Sequence, residues 1–477
     1  MGDPAVDTAS SVFWLQQALA LEDEVSPPLA GAARADVCVV GGGFAGLWTA
    51  YELIERDPSL DVVVVDARRC GFGASGRNGG WATSWHDEIA ELEERFGSEH
   101  AAWLAERSTW AIDRIEEVCG IESIDAHVRR AGALVCATAP AQMGGWEREI
   151  AVARRLGRPG FLEPLPADEL RARTGSPVII GGVHATDGAA VQPALLVRGL
   201  RRALLRRGVR IFEHTPMTDV RPGEPAIVVT PRGHVTAGRV VLALGAWAAR
   251  LRELRRAVVP VGSHIVLTEP IPERIAALGW TGGELLGDTR LLVHYAQVTR
   301  DGRIAFGRGG GAIGFGGRVL RGHFTDPKTV EVVAAGFRRW FPQLRDVALT
   351  HAWGGAVDRA PGHMPFAGTL GEGVEYVTGF SGNGVAPSVL LGRIAARRAL
   401  GIEDEYTRSP IGDGPPSYLP PEPFRIAGGV VVRDAVRRAE GAEERGATAG
   451  AVTGALRKLV WFTTPRALEP RLRGRER

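Results

Sequence analysis

Short apolar runs alternate with amphipathic stretches through the first 250 residues of this 477-residue chain. Val37–Val40 and Val62–Val65 are compact apolar runs, typical of strands buried on both faces of a parallel sheet. The stretch Leu47–Arg56 between them has the length and composition of a helix. The order strand, helix, strand predicts a βαβ unit.

Similar alternation returns twice farther along the chain. A helix is predicted over Gln192–Arg207, where Pro193 provides a start signal, and a strand over Val209–Phe212. A turn at Gly379–Gly384 is predicted to lead into a helix over Ala386–Leu400. Further strands are predicted at Met217–Val220, Ala226–Thr230, His234–Thr236, Val240–Leu244 and Val374–Thr378.

The intervening segments have a different character. Ile89–Cys119 shows the i, i+3, i+4 spacing of an amphipathic helix. Three strand-like runs then predict an antiparallel sheet that caps the βαβ part, namely Val258–Glu269, Leu291–Val298 and Arg303–Gly307. Gly412–Pro423 is predicted to be a linker, and Arg433–Arg445 a charged helix that packs on the main body.

A nucleotide-binding turn follows the first strand directly. Gly41, Gly43 and Gly46 have G-x-G-x-x-G spacing. The first glycine allows a tight turn, the second lets the backbone approach a pyrophosphate, and the third lets the helix pack close to the strand. The second strand ends at Asp66, whose carboxylate is placed to accept hydrogen bonds from an adenosine ribose. The complete unit predicts a bound dinucleotide.

Composition excludes several other functions. The chain has 57 Lys and Arg against 55 Asp and Glu, so its net charge of +2 gives no reason to expect nucleic acid, and the basic end Arg466–Arg477 is interpreted as a solvated tail. No run approaches the ~20 apolar residues that a membrane helix needs. The first thirty residues contain acids and lack a basic n-region, so we expect no secretory signal.

The four cysteines are Cys38, Cys70, Cys119 and Cys136. None is in C-x-x-C spacing, which argues against a zinc site, and we expect no bound metal. Their number and spacing are consistent with reduced thiols, and we expect a cytoplasmic location.

A second glycine-rich loop, GFGASGRNGG at Gly71–Gly80, follows Asp66 closely. On GASGRNGG in this position, the chain resembles flavoproteins of the D-amino-acid oxidase superfamily. It is most similar to the branch of amine oxidoreductases that includes gamma-glutamylputrescine oxidase, and more distantly to glycine and sarcosine oxidases. The resemblance runs from about Trp14 to Leu400. Further matching segments are Gln192-Pro193, Val241–Trp247, Arg303–Arg308, Trp353–Pro365 and Gly379–Gly384.

The resemblance implies an α/β fold in which a three-layer, Rossmann-like FAD-binding domain carries a substrate-binding cap domain with an antiparallel sheet. The FAD-binding domain is expected at 35–90, 180–255 and 346–405. The cap is expected at 91–179 and 256–345, followed by a C-terminal extension at 406–477.

FAD is the expected cofactor, and the resemblance places its pyrophosphate and ring against the second loop. The backbone of Val220 is expected to meet the adenine, and the turn at Gly382 to lie beneath the pyrimidine end, where helix N–H groups stabilise negative charge. The loop has no histidine and no cysteine follows Cys136, so we expect non-covalent FAD. The expected cofactor residues are Gly41, Gly43, Phe44, Ala45, Gly46, Asp66, Ala67, Arg68, Gly73, Ala74, Ser75, Gly76, Arg77, Asn78, Gly79, Gly80, Val220, Gly245, Trp247, Gly382, Asn383, Gly384 and Val385.

In this superfamily a hydride passes from the carbon beside a neutral amine to flavin N5, and the resulting imine is hydrolysed. The protein supplies position and electrostatics, so no catalytic base is required. The expected catalytic residues are Tyr295, His264 and Arg308, since the capping sheet should present them to the flavin. Because His294 neighbours Tyr295 on a strand, only one of the two can face the ring, and we favour the tyrosine. Trp81 and Trp353 are candidates for the pocket wall.

Several alternatives remain open from sequence. We expect O2 as acceptor and H2O2 as product, yet neither Lys328 nor Lys458 lies in a segment expected to reach the ring, as the oxygen-activating lysine of sarcosine-oxidase relatives does. A protonated His264 or an arginine would be a substitute, and a dehydrogenase that uses another electron carrier is the alternative. A nicotinamide-dependent dehydrogenase and a flavin-binding subunit without turnover are further readings. The amine or amino acid that reacts and the oligomeric state stay undetermined.

Overall fold

The computed structural model describes residues 11–22, 25–415, 417–459 and 464–465, so the predicted basic tail Arg466–Arg477 lies outside the described residues. The helices are α1 (Phe13–Leu19), α2 (Phe44–Arg56), α3 (Ile89–Ile121), α4 (Glu147–Arg155), α5 (Ala167–Thr174), α6 (Pro193–Arg206), α7 (Pro272–Leu278), α8 (Pro327–Trp340), α9 (Pro387–Ala399), α10 (Phe424–Glu444) and α11 (Ala451–Lys458). The strands are β1 (Gly31–Val40), β2 (Val62–Val65), β3 (Trp81–Ala82), β4 (Ala133–Ala137), β5 (Leu162–Leu165), β6 (Gly181–Ala185), β7 (Ala189–Ala190), β8 (Arg210–Phe212), β9 (Asp219–Arg221), β10 (Ala226–Thr230), β11 (Gly233–Leu242), β12 (Val259–Thr268), β13 (Leu285–Asp288), β14 (His294–Val298), β15 (Ile304–Ile313), β16 (Leu349–Arg359), β17 (Phe366–Gly371), β18 (Val374–Thr378), β19 (Ser417–Tyr418) and β20 (Thr464–Pro465).

The first large sheet has the strand order β17-β18-β11-β1-β2-β8, with β10 beside β11 and β9 beside β10. The pairs from β18 through to β8 are parallel. All four valines of β2 are buried, as its continuous apolar run predicts. Chain order reverses on the two sides of β1, so a crevice opens at its carboxyl end, where ligands bind in sheets of this kind.

Most predicted elements of this sheet are present. β2 and β18 have the predicted bounds, and α2, α6 and α9 correspond to the predicted helices with ends shifted by one to three residues. The separate strands predicted at 234–236 and 240–244 form one strand, β11. The backbone stays extended through Gly238, because the strand pairs with β1 on both sides of this residue.

The second large sheet has the strand order β16-β12-β15-β14-β13-β4-β6-β5. Its pairs are antiparallel, as predicted for the cap, except that β13 and β4 are parallel. The predicted domain boundaries at 180 and 346 cut through this sheet, because β6 and β16 both belong to it. The division into domains therefore stays a prediction, with β6 and β16 on the cap side.

Helix α8 covers the outer face of the second sheet. Phe337 and Trp340 of this helix pack on Phe306 of β15, and all three are buried almost completely. The opposite face of this sheet therefore faces the first sheet. No helix among the described ranges is both long enough and apolar enough to span a bilayer.

The first and the last long helix of the described residues, α1 and α10, both pack on this body. Helix α1 lies on α6, where Glu22 forms a buried ion pair with Arg198. Helix α10 includes the predicted charged helix and begins nine residues before it, at Phe424. The predicted amphipathic helix at 89–119 is present as α3, but it is broken at Gly97, where φ is 80° and ψ is 165°.

Candidate functional site

A cavity of about 1940 Å³ joins the carboxyl ends of β1, β2 and β11 to the inner face of the second sheet. Gly43 and Asp66 line one end of the cavity, and Tyr295 and Ser263 line the other. Ordinary ligand pockets measure roughly 300–1,000 Å³. The volume is therefore sufficient for a dinucleotide together with a second small molecule.

The first glycine loop is packed so tightly that side chains are excluded. Gly41 has φ of +115°, and a β-carbon there would collide with the carbonyl of Ala243. A β-carbon on Gly46 would collide with the carbonyl of Gly41. The absence of a side chain at Gly46 therefore allows α2 to pack close to β1. One on Gly43 would stand 3.0 Å from the Ser75 hydroxyl oxygen, so Gly43 lies where the two glycine loops meet.

Asp66 ties the end of β2 to the first loop. Its Oδ2 accepts a hydrogen bond from the Gly42 amide at 2.7 Å, and its Oδ1 accepts one from the Arg68 amide at 2.7 Å. Burial raises the pKa of this carboxyl group to about 6. Each oxygen has a further lone pair, so the carboxylate can still accept from ribose hydroxyls in the cavity.

The second glycine loop is joined to the first by Ser75, whose hydroxyl accepts a hydrogen bond from the Phe44 amide at 2.8 Å. Arg77 does not reach into solvent: only 2% of the residue is exposed. Its guanidinium lies between the rings of Phe72 and Phe324, at 4.8 and 4.9 Å from their centroids. It also donates to the carbonyls of Phe72 and Gly354. Arg77 thus fixes the loop to the second sheet.

Three further side chains from distant parts of the chain fasten the backbone of this loop. The indole of Trp14 donates to the carbonyl of Asn78 at 3.1 Å, and the indole of Trp353 to that of Arg77 at 2.9 Å. The amide of Gln297 donates to the carbonyl of Gly79 at 2.7 Å. The loop is rigid because α1, β14 and β16 all hold it.

The turn before α9 is held by a buried carboxylate. Asp358 accepts hydrogen bonds from the amides of Gly379 and Phe380, at 2.7 and 3.2 Å, and from the hydroxyl of Thr378. Burial raises the pKa of Asp358. Gly382, with φ of +104°, adopts a conformation that favours glycine and lines the cavity.

These residues fit a flavin dinucleotide. Gly41 and Gly43 line the cavity without side chains, so their backbone is open to a pyrophosphate, and Asp66 lines the same cavity. The side-chain oxygen of Asn383 is buried, and no group within the described residues donates to it. A ring N–H is the kind of donor that this acceptor lacks.

Most expected cofactor residues line the cavity, and four do not: Gly46, Gly76, Gly80 and Val220. The three glycines act in backbone packing, as the close contacts at each show. Val220 lies in β9, where it pairs with Val228 of β10, and Met217 and Thr218 are the residues of this segment that line the cavity. The contact of Val220 with the adenine stays a prediction. The chain reaches the cavity just before the strand begins.

The pleat of the second sheet decides which candidate catalytic residue faces the cavity. Tyr295 pairs with Gly307 across the β14–β15 ladder, and both belong to the row that points at the cavity. The tyrosine hydroxyl lies 2.8 Å from the Ser263 hydroxyl. Burial raises the pKa of Tyr295 to about 12, so it is a neutral phenol at physiological pH. As predicted, the tyrosine and not His294 faces this side.

His264 and Arg308 lie in the other row of the pleat, directly opposite each other in the β12–β15 ladder. Neither lines the cavity, which corrects both expectations. Arg308 is paired with Glu440 of α10 at 3.1 Å. His264 is fully buried, and burial lowers its pKa to about 4, so it carries no positive charge for oxygen activation at neutral pH. Strand alternation is the physical reason for both differences.

The two tryptophans differ in position. Trp81 lines the cavity, with its ring edge against Gly287 of β13. Trp353 is buried behind the second loop, where its ring meets that of Trp14. We call the part of the cavity bounded by Ser263, Leu292, Tyr295, Gly309 and Gly310 the substrate compartment.

Carboxyl groups from the segment after β3 also line the cavity; we call Asp87, Glu88 and Glu91 the acidic lobe. The surrounding protein and the neighbouring carboxylates raise the pKa of both Asp87 and Glu88, although Asp87 keeps contact with solvent. Arg359 lies in the same lobe and attracts Glu88 and Glu91, while burial lowers its own pKa to about 10. This part of the cavity can hold cationic groups and exchange protons with them.

Sequence reasoning missed Asp358, Ser263 and the acidic lobe as site residues. Asp358 lay inside a segment that matched the family, which was the available signal. Ser263 was adjacent to the expected His264, and the period-two alternation of strands was the signal that would have shifted the choice by one residue.

Helix α10 was predicted without any chemical role. Seven of its residues nevertheless line the cavity: Phe424, Arg425, Gly428, Gly429, Val432, Arg433 and Val436.

Comparison with known proteins agrees with this geometry. Residues 36–398 match the sequence family described as FAD dependent oxidoreductase. The chain is 32% identical over 381 residues to gamma-glutamylputrescine oxidoreductase of Escherichia coli (strain K12), covering 78% of this chain and 85% of that protein. It is 29% identical over 393 residues to the probable oxidoreductase OrdL of Haemophilus influenzae, covering 81% and 88%. Glycine oxidase from Geobacillus kaustophilus has a similar structure, with a TM-score of 0.67 at 20% identity, covering 80% of this chain and 99% of that chain.

Proposed function

Because this chain belongs to the family of FAD-dependent oxidoreductases, we propose that it oxidises a C–N bond of an amine or amino acid. A hydride leaves the carbon beside a neutral nitrogen and the substrate becomes a protonated imine, which water converts to a carbonyl compound and a protonated amine. FAD, when bound, supplies the hydride acceptor, and O2 then takes up the electrons to give H2O2. FAD is held without a covalent bond, since the second glycine loop has no histidine and no cysteine follows Cys136.

The observation that carries this proposal is the continuity of the cavity. The glycine loops and Asp66 border one end, and the substrate compartment continues from it without an intervening wall. Tyr295 packs on Gly79 of the second loop, so a substrate against the tyrosine lies next to the loop expected to border the flavin. Such a layout brings the reacting carbon and the hydride acceptor into one enclosed space.

Tyr295 and Ser263 orient the substrate in this proposal. Their hydroxyls share one hydrogen bond, and the Ser263 hydroxyl is also within donating distance of the Arg308 carbonyl, at 3.2 Å. Lone pairs on both hydroxyl oxygens remain to accept from the substrate. With a pKa near 12, Tyr295 is not a base at neutral pH. Trp81 adds an apolar wall that excludes water.

The charges favour an amine over an amino acid. Arg308, one of the expected catalytic residues and the kind of side chain that binds a carboxylate bidentately, is paired with Glu440. The acidic lobe attracts an ammonium group, and its carboxylates with raised pKa values are suited to take the proton that must leave before oxidation. The free, buried cysteines are consistent with action in the cytoplasm, which we also propose.

The test begins with the absorbance spectrum of the purified protein, followed by anaerobic addition of single amines and amino acids. We expect the flavin band to bleach with an amine, and faster than with the amino acid of the same carbon skeleton. Admission of oxygen then restores the band and yields H2O2 if O2 is the acceptor. Recovery only with an added artificial carrier would indicate a dehydrogenase, and a flavin that no compound bleaches would contradict the proposal. A colourless protein that binds a nicotinamide cofactor would overturn the choice of FAD.

A further inference from the structure

Helix α10 lies across the ends of strands β14 and β15, beyond residue 398 where the family match stops. Arg433 donates to the carbonyl of Gly311 at 3.2 Å, and Arg437 donates to that of Gly310. Glu440 accepts a hydrogen bond from the amide of Leu292 at 3.1 Å. The helix therefore meets the substrate compartment at two of its bounding residues, Leu292 and Gly310.

The attachment is built from charged groups enclosed by protein. Glu440 is 2% exposed and pairs with Arg308 at 3.1 Å. Arg290, also buried, donates to the carbonyl of Glu440 and pairs with Glu444 at 3.0 Å. A helix that merely rested on the surface would not enclose such groups, because desolvated charges are retained only where their partners are fixed. We conclude that α10 is a permanent part of this wall.

One stripe of α10 faces the cavity. Phe424, Gly428, Val432 and Val436 recur at four-residue intervals, so they share a face of the helix, and all four line the cavity. Gly429 lies against Ile313 of β15, where a β-carbon would stand 3.3 Å from the isoleucine side chain. The helix therefore packs directly on the Ile313 side chain of the sheet that carries Tyr295 and Ser263.

We propose that α10 is the outer wall of the substrate compartment and that Val432 limits the length of the carbon chain that the compartment accepts. The proposal rests on the proposed amine oxidation, which it extends to substrate size. Val432 lines the cavity, and a β-carbon added at Gly428, one turn earlier on the same face, would meet no atom within 4 Å. Neighbouring side chains therefore do not fill the space beside this face at Gly428, and we expect a larger side chain at position 432 to project into the cavity.

Val431 provides a matched control. It precedes Val432 on the same helix but points outward, with 48% of the residue exposed. Val431→Trp and Val432→Trp make the same chemical change in the same helix turn. Only the second adds an indole to the cavity.

The experiment measures anaerobic flavin reduction by unbranched primary amines from propylamine to octylamine in the wild type and both variants. We expect Val432→Trp to lower the rate constant for the longest amines roughly tenfold or more while the shortest change little, as removal of pocket space discriminates by size. Val431→Trp should follow the wild-type profile. Equal profiles for the two variants would overturn the proposal.

A second readout does not depend on turnover. Acrylamide quenching of the bound-flavin fluorescence reports how easily a neutral molecule enters the cavity, and Val432→Trp should lower the quenching constant relative to Val431→Trp. If no amine reduces the wild type, the proposed reaction fails, whereas quenching still decides the position of the wall. Should Val432→Trp lose FAD, Gly428→Leu takes its place, since its β-carbon enters open space; an unchanged profile and quenching constant in that variant would equally overturn the proposal.

Discussion

Gly79 lies directly against the ring of Tyr295: a β-carbon on this glycine would stand 2.6 Å from ring atom Cδ2 and 2.7 Å from Cε2. On its other side the ring is flanked by Gly307, and its hydroxyl is held by Ser263. The tyrosine therefore occupies a slot that only glycine can border. This contact connects the loop expected to hold the flavin with the sheet expected to hold the substrate.

Replacing Gly79 by alanine should displace this ring. We expect Gly79→Ala to keep FAD, to lose about 1–3 kcal/mol of unfolding free energy through overpacking, and to reduce the flavin roughly tenfold more slowly or worse because the substrate is misplaced. Stopped-flow reduction and thermal melting measure the two effects. Gly120→Ala is the control, since a β-carbon there meets nothing within 4 Å; wild-type reduction by Gly79→Ala would show that the ring does not position the substrate.

FAD affinity should depend on the protonation of Asp66. Its pKa of about 6 means that the carboxylate takes up a proton as the pH falls through this value. Ribose hydroxyls donate better to the ionised form, so the dissociation constant of FAD should rise below about pH 6 and level off above pH 7. Fluorescence titration of the apoprotein from about pH 5 to 8 measures this. Asp66→Asn should bind FAD more weakly and without this pH dependence, whereas the exposed Asp57→Asn should behave as wild type.

The same group affects the apoprotein in the opposite sense. Because its pKa is raised from 3.8 to about 6, the folded chain holds a proton that the unfolded chain has released. The contribution of Asp66 to stability should therefore fall as the pH rises from about 4 to 6, and stay constant above that. Denaturant unfolding of the apoprotein and of Asp66→Asn measures the difference; a slope of the opposite sign would contradict the assignment.

Asp358 should prove necessary for the turn before α9. In Asp358→Ala the amides of Gly379 and Phe380 lose their acceptor, at about 1–3 kcal/mol for each buried group left unpaired. We expect a lower melting temperature and weaker FAD binding, both measured by release of flavin fluorescence on heating. Asp358→Asn keeps one carbonyl acceptor and should restore part of both. If Asp358→Ala bound FAD with wild-type affinity, this turn would not contribute to cofactor binding.

Arg308 and Glu440 offer a test that separates clamping from catalysis. If they act only as a pair, then Arg308→Ala and Glu440→Ala should each cost about 3–5 kcal/mol, and the double variant should cost less than the sum of the two. Both single variants should show the same change in amine reduction. A much larger loss of activity in Arg308→Ala than in Glu440→Ala would indicate that Arg308 acts directly in the reaction. Arg438→Ala, at an exposed position of α10, is the control.

Much of the nucleotide-binding half was predictable because its signals are local. The apolar run of β2, the glycine spacing and Asp66 fall within a few turns of chain, and steric exclusion at each glycine is visible as a missing side chain. The predicted fold class and family are confirmed by the match over residues 36–398 and by the similar solved structure. The roles of the individual site residues stay predictions.

The substrate side was less predictable because its determinants are not local. Sequence placed His264 on the correct strand, whereas Arg308 followed the predicted strand 303–307 and lies inside the longer β15. Which row faces inward depends on the register of β12, β14 and β15, and a one-residue choice reverses the face. The pairing of Arg308 with Glu440 joins residues 132 positions apart. Nothing in the local sequence of either residue indicates it.

The bonds that fasten the second glycine loop come from Trp14, Gln297 and Trp353, and the turn at Gly382 follows later still. During synthesis, the second glycine loop leaves the ribosome long before Gln297 and Trp353, which are two of the three residues that donate hydrogen bonds to its backbone. A nascent chain therefore cannot offer a finished cofactor site until residues near 385 have left the ribosome, nor a closed compartment until α10 has followed. We therefore expect cofactor capture to be a late event in the biogenesis of this protein, and the early βαβ unit to persist without the ligand that it is predicted to bind.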